Sequence, residues 1–68
     1  MKSIAIKNFL KSRGFSEVVP WQEYKHENGM RVVVGEHEWA VITSDESSEN
    51  GSLSEIGTLI RLVETGMR

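Results

Sequence analysis

The chain contains no cysteine, so it has no disulfide, no thiolate metal site and no thiol nucleophile. Zinc ribbons, dithiol redox motifs and cysteine hydrolases are excluded together. Long apolar runs are also missing. The longest, Trp39 to Ile42, falls far short of the roughly 20 residues that a bilayer crossing requires. At the start of the chain, Ile4, Ala5 and Ile6 give way at once to Lys7 and Asn8, which is not the apolar stretch of a secretory signal. A cytoplasmic location is the expectation, with no membrane partner. Proline occurs once, at Pro20, and the six glycines stand singly, so no glycine-rich loop is available to cradle a phosphate.

What remains is a chain of 68 residues, 38% apolar and 26% charged, enough for one small domain over 1–68 and no second. A domain of this size buries only about 60% of the surface its unfolded chain exposes. A partner or a second copy is therefore an expected source of extra core. The charge is unevenly spread: residues 1–35 sum to +3 and residues 36–68 to −5. The acidic total argues against general affinity for nucleic acid, although a local basic face is still compatible with it.

The periodicity of SIAIKNFLKSR predicts a helix over 3–13, with Ala5, Ile6, Phe9 and Leu10 on one side and Gly14 as a left-handed stop over which Phe15 folds back. From Glu17 the pattern turns to β-branched and aromatic residues, and Pro20 marks an edge position or bulge in an irregular strand. Asn28-Gly29 before Met30-Arg31-Val32-Val33-Val34 is a hairpin signal. A two-residue turn would set Met30, Val32 and Val34 opposite charged residues. A three-residue loop, Glu27-Asn28-Gly29, pairs Tyr24 with Val32 and gathers the apolar residues on one face, with Gly29 in the left-handed bulge position. The longer loop is the expectation. After a tight turn at Gly35-Glu36-His37, Glu38 to Thr43 reads as a third strand, apolar on both faces.

The stretch from Ser44 to Gly51 has neither periodicity nor an apolar residue and reads as a mobile acidic loop at 44–51. Ser52 and Glu55 form a capping box, and Leu53, Ile56, Leu59, Ile60, Val63 and Met67 form the apolar stripe of a second helix, closed by Gly66. The order is α-β-β-β-α. The predicted fold is α+β, with two helices packed on one face of a three-stranded antiparallel sheet.

No catalytic pattern emerges. His26 and His37 lie on separate turns beside Glu27, Glu36 and Glu38, without the HExxH spacing of a zinc site. Asp45, Glu46 and Glu49 lack the alternating oxygen ligands of a calcium loop. The serines belong to no GxSxG elbow. Neither metal nor cofactor is expected. Gly57 interrupts the second helix at a cost of about 1 kcal/mol relative to alanine, for which close backbone approach and chance are equally good reasons. Trp21, Tyr24 and Trp39 are the aromatic residues outside the helix-linked core. Core is their commoner role in so small a domain, and a protein interface is the reading for any that stay exposed. Lys7, Lys11, Lys25 and Arg31 make the alternative, a nucleic-acid face.

Ile6 to Phe15 with its glycine-aromatic stop, the hairpin Tyr24-Lys25-His26-Glu27-Asn28-Gly29 with Arg31 to Val34, and Gly51-Ser52-Leu53 through Gly66 together resemble the HicA family of small bacterial toxins, which share the double-stranded-RNA-binding fold. That family's Gly-Ser-His triplet falls, by alignment of the hairpins, on Val19-Pro20-Trp21. The resemblance thus carries over no catalytic histidine and implies a protein without ribonuclease activity, with His26 at a non-catalytic position. Where double-stranded-RNA binders place lysines at the start of the last helix, this chain has Ser54 and Glu55. The expected function is a non-enzymatic protein–protein contact module of a bacterial or phage cytoplasm, with self-association as a homodimer included. The alternative is an RNA-binding HicA-like protein without catalysis.

Overall fold

The computed structural model describes residues 2–66, and the side chains from Ile4 to Gly66. Met67, placed on the stripe of the second helix, lies outside the described residues. Helix α1 spans Lys2–Ser12. It ends as its sequence predicts: Gly14 has φ +92°, its N–H bonds the Lys11 carbonyl at 3.1 Å, and the Phe15 N–H bonds the Leu10 carbonyl at 3.0 Å. Those two bonds satisfy carbonyls that the last turn leaves orphaned, and they bring Phe15 over Leu10. A side chain on Gly14 would also crowd the His26 ring, whose Nε2 lies 3.2 Å from where a Cβ would stand.

Five strands follow rather than three: β1 (Ser16–Val19), β2 (Glu23–Lys25), β3 (Arg31–Val34), β4 (Glu38–Ile42) and β5 (Ser48–Ser52), all antiparallel in the order of the chain. A short 3₁₀ turn, Leu53–Glu55, leads into helix α2, Ile56–Gly66. The three-stranded sheet expected from the sequence is therefore wrong on two counts. The irregular first strand is a hairpin, because Pro20 and a left-handed Trp21 (φ 65°) make a tight turn in its middle, closed by the Gln22 N–H on the Val19 carbonyl at 2.9 Å. And most of the stretch expected to be an acidic loop at 44–51 is edge strand: Ser48 to Ser52 pair with Ile42 to Glu38. Backbone bonding to β4 holds β5 in place without any large apolar side chain of its own.

Between β2 and β3 the three-residue loop is observed. Tyr24 pairs with Val32, the His26 N–H bonds the Met30 carbonyl at 2.8 Å, and Gly29 takes φ +99°.

Alternation along the strands sends Tyr24, Val32, Val34, Trp39 and Val41 to one face. There they form a single buried cluster with Ile6 and Leu10 of α1, Phe15, Met30, and Leu59 and Val63 of α2. Both helices thus cover the same face. Arg13 at the end of α1 and Glu64 on α2 are joined by an ion pair of 2.5 Å. At the start of α2 the Glu55 carboxylate accepts the Ser52 N–H at 3.1 Å, the half of the capping box that stops the chain before the helix.

Candidate functional site

The described residues most exposed for their apolar character lie around the β1–β2 turn and the start of α1: Val18 is 53% exposed, Trp21 47% and Ile4 44%. Trp21 occupies the turn position that demands positive φ, immediately after Pro20. Glycine or asparagine is the usual choice there, since a side chain brings Cβ against the following carbonyl at a cost of about 1–2 kcal/mol.

Two contacts hold the tryptophan in this conformation. Its own N–H donates to Glu17 Oε2 at 2.9 Å, and the Lys7 ammonium lies 3.9 Å from the centre of its ring. Glu17 ties the arrangement together: it pairs with Lys7 at 3.4 Å and with Lys11 at 3.8 Å. The Trp21 N–H is the main cause that holds its carboxyl below the ordinary range; burial opposes it, and Lys7 and then Lys11 add to the lowering. The result is a ledge, an indole fixed at the surface with a cation on one face. Ile4, one helical turn before Lys7, extends apolar surface along α1.

The other sequence candidates fall elsewhere. Tyr24 and Trp39 are each 1% exposed and belong to the core, so neither is available as an interface residue. Burial raises the Tyr24 phenol above its usual pKa, and the nearby Glu17 charge adds to the effect. The four cations proposed as one nucleic-acid face are divided between two layers. Lys7 and Lys11 stand on α1 and are engaged by Glu17. Lys25 and Arg31 are paired across β2 and β3, on the face that the helices leave bare, and Arg31 meets Glu23 at 3.4 Å.

Both histidines are placed by local structure. His26 Nδ1 accepts the Asn28 N–H at 3.1 Å, and its ring centre lies 5.2 Å from that of Phe15. His37 is exposed in the β3–β4 turn. Among the described residues no three His, Asp or Glu side chains come together as a metal site would need. Likewise, no helix among them is long and apolar enough to cross a membrane.

Trp21, an interface candidate, and Lys7, a candidate of the alternative nucleic-acid face, are brought together here by a residue that the sequence did not single out. Glu17 has one signal: it stands four positions before Trp21 across a proline, the reach of a side chain back onto a turn. No family model, curated protein or solved structure matches the chain.

Proposed function

We propose that this chain is a non-enzymatic protein-contact module of a bacterial or phage cytoplasm whose anchor is Trp21. The observation that carries the reading is an exposed indole at a left-handed backbone position where the fold alone would favour glycine. Backbone conformations of this kind persist where the surroundings over-determine them, and they cluster at working surfaces. A tryptophan fixed in advance by Glu17 and Lys7 loses little side-chain freedom on binding, which suits the central aromatic of an interface.

The test places a photo-crosslinking phenylalanine analogue at position 21 in cells, with the same analogue at exposed Thr58 as control. A discrete protein adduct from position 21 alone, competed by excess wild-type chain but not by Trp21→Gly, is the expected result. Identical patterns from both positions, or equal competition by the variant, overturn the reading. An adduct that shrinks with ribonuclease moves the assignment to the RNA-binding alternative, whose four cations the fold splits between two layers.

A further inference from the structure

The sheet has two edges, and they are unlike. At β1 the register shifts between Glu17 and Val19, a bulge of the kind that keeps another chain from pairing. β5 has no such break: Ser48 to Ser52 face Ile42 to Glu38 without a shift, and the strand holds neither proline nor lysine. Its phase is fixed at both ends. The Thr43 N–H bonds the Ser47 carbonyl at 2.8 Å and the Leu53 N–H bonds the His37 carbonyl at 3.0 Å, so Glu49 and Gly51 bond inward to β4 while Ser48, Asn50 and Ser52 turn their backbone groups outward. Glu55 takes the outward N–H of Ser52. The backbone N–H and C=O of Ser48 and Asn50 are left on the open edge, with no strand beyond them among the described residues.

We infer that this edge takes an extended basic segment of a partner protein as a sixth strand, with a lysine or arginine of that segment opposite Glu49. Charge decides the occupant. Residues 44–60 hold Asp45, Glu46, Glu49 and Glu55 and no lysine, arginine or histidine. Antiparallel pairing of β5 with its own copy, centred on the free groups, sets Glu49 directly opposite Glu49, and like charges so placed repel. A cation in that place is attracted. Glu49 pairs with Val41 on the side of the sheet that the helices cover, and beside it lies a groove of about 240 Å³ walled by Val41 and Leu62 with Thr43 and Ser47. The carbon stem of the incoming cation lies along this apolar wall while its head meets the carboxylate. Glu49 is exposed and makes no ion pair among the described residues, so no contact is lost when it does.

Backbone bonds to Ser48 and Asn50 supply the attachment, and the contact at Glu49 supplies the selection. Trp21 stands in the β1–β2 turn, at the other side of the sheet, so the inference does not rest on that anchor.

The experiment follows amide hydrogen exchange of the full chain by NMR, with a blocked hexapeptide that alternates lysine and valine and with the same peptide carrying glutamate for lysine. At about 2 mM peptide, a Kd near 1 mM slows exchange at Ser48 and Asn50 about threefold, and the glutamate peptide leaves both unchanged. Asn50→Pro removes an outward N–H and no bond to β4, so it is expected to weaken binding about tenfold. Continued protection of the Glu49 and Gly51 amides then shows that β5 is still in place. Glu49→Lys lowers affinity for the lysine peptide about fivefold and raises it for the glutamate peptide, and this reversal decides alone if the proline loosens the strand. Trp21→Gly binds as wild type does. No slowing at Ser48 and Asn50, equal slowing by both peptides, or full binding to a folded Asn50→Pro overturns the inference. Slowing that grows with chain concentration in the absence of peptide overturns it too, since the occupant would then be a second copy. Loss of binding on Trp21→Gly would move the peptide to the ledge and leave the reading of Trp21 as an anchor intact.

Discussion

Gly29 and Glu46 hold the same place in two hairpins of one design. In the first, the His26 N–H bonds the Met30 carbonyl at 2.8 Å and the Gly29 N–H bonds the His26 carbonyl at 3.0 Å. In the second, the Thr43 N–H bonds the Ser47 carbonyl at 2.8 Å and the Glu46 N–H bonds the Thr43 carbonyl at 2.9 Å. Even the middle residue repeats its role, Asn28 Oδ1 accepting the Met30 N–H at 2.9 Å and Asp45 Oδ1 accepting the Ser47 N–H at 3.1 Å. The left-handed position is glycine in one (φ +99°) and glutamate in the other (φ 70°). Glu46→Gly therefore removes the Cβ penalty, and the expected gain is about 1 kcal/mol, read as a higher urea midpoint with an unchanged slope. Gly29→Ala goes the other way, since its Cβ would stand 2.8 Å from that of Ser44.

That equivalence also explains which parts of the fold were legible. Asn28-Gly29 announces its hairpin because the residue that the geometry demands is present. Asp45-Glu46 conceals the same geometry behind a residue that tolerates it at a cost. The strand that follows is hidden for a second reason: its inward positions are Glu49 and Gly51, so it shows no apolar alternation. Helix ends were readable at Gly14 and at Ser52–Glu55, where local hydrogen bonds set the stop. The ledge was half readable. Trp21 stood out by type, but no glycine or asparagine announces its left-handed turn, and the Lys7 and Lys11 contacts that complete the ledge arise from tertiary placement of α1 beside β1.

Gly51 is where β5 earns its place beside the core. It pairs with Trp39 across the ladder, and a Cβ there would lie 2.7 Å from Trp39 Cζ2 and 3.1 Å from Glu55 Oε1. The buried indole thus fills the space that a side chain would take. Its Nε1 has no hydrogen-bond partner among the described residues, and its position follows from packing alone. Gly51→Val, which strand propensity alone would favour, is expected to cost about 2–3 kcal/mol by overpacking. Thermal unfolding gives the loss, and a diminished near-ultraviolet tryptophan dichroism identifies the displaced ring. An unchanged Tm would show that Trp39 does not depend on the gap.

Glu17 makes the ledge sensitive to acid. Its carboxyl titrates below its ordinary value in the folded chain, first because it accepts the Trp21 N–H. A depressed folded pKa means that the unfolded chain takes up the proton first as pH falls. The stabilisation is complete above the ordinary carboxylate range and disappears as pH drops through the folded value. Asp45 behaves in the same direction, through hydrogen bonds from the Thr43 hydroxyl and from Ser47. Glu17→Gln is expected to flatten part of the acid limb of stability against pH while Asp45→Asn flattens another part, the two adding because they sit in separate turns. Trp21 emission should follow the first variant and ignore the second. An acid limb unmoved by Glu17→Gln would mean that the carboxylate does not hold the turn.

Two glycines of α2 meet different surroundings. At Gly66 an added Cβ would stand against the terminal methyl of buried Met30, the far end of a flexible side chain that would have to turn aside. At Gly57 a Cβ would meet nothing within 4 Å, which removes close packing on the sheet or on α1 as its reason. Gly57→Ala is therefore expected to stabilise the fold by about 0.5–1 kcal/mol, the helix penalty of glycine, while Gly66→Ala brings no such gain because Met30 must move. Denaturant melts of the two variants test the contrast directly. If Gly57→Ala is more stable and still crosslinks through position 21, the glycine is a tolerated accident. A variant that gains stability and loses that crosslink would instead place a partner's backbone against the first turn of α2.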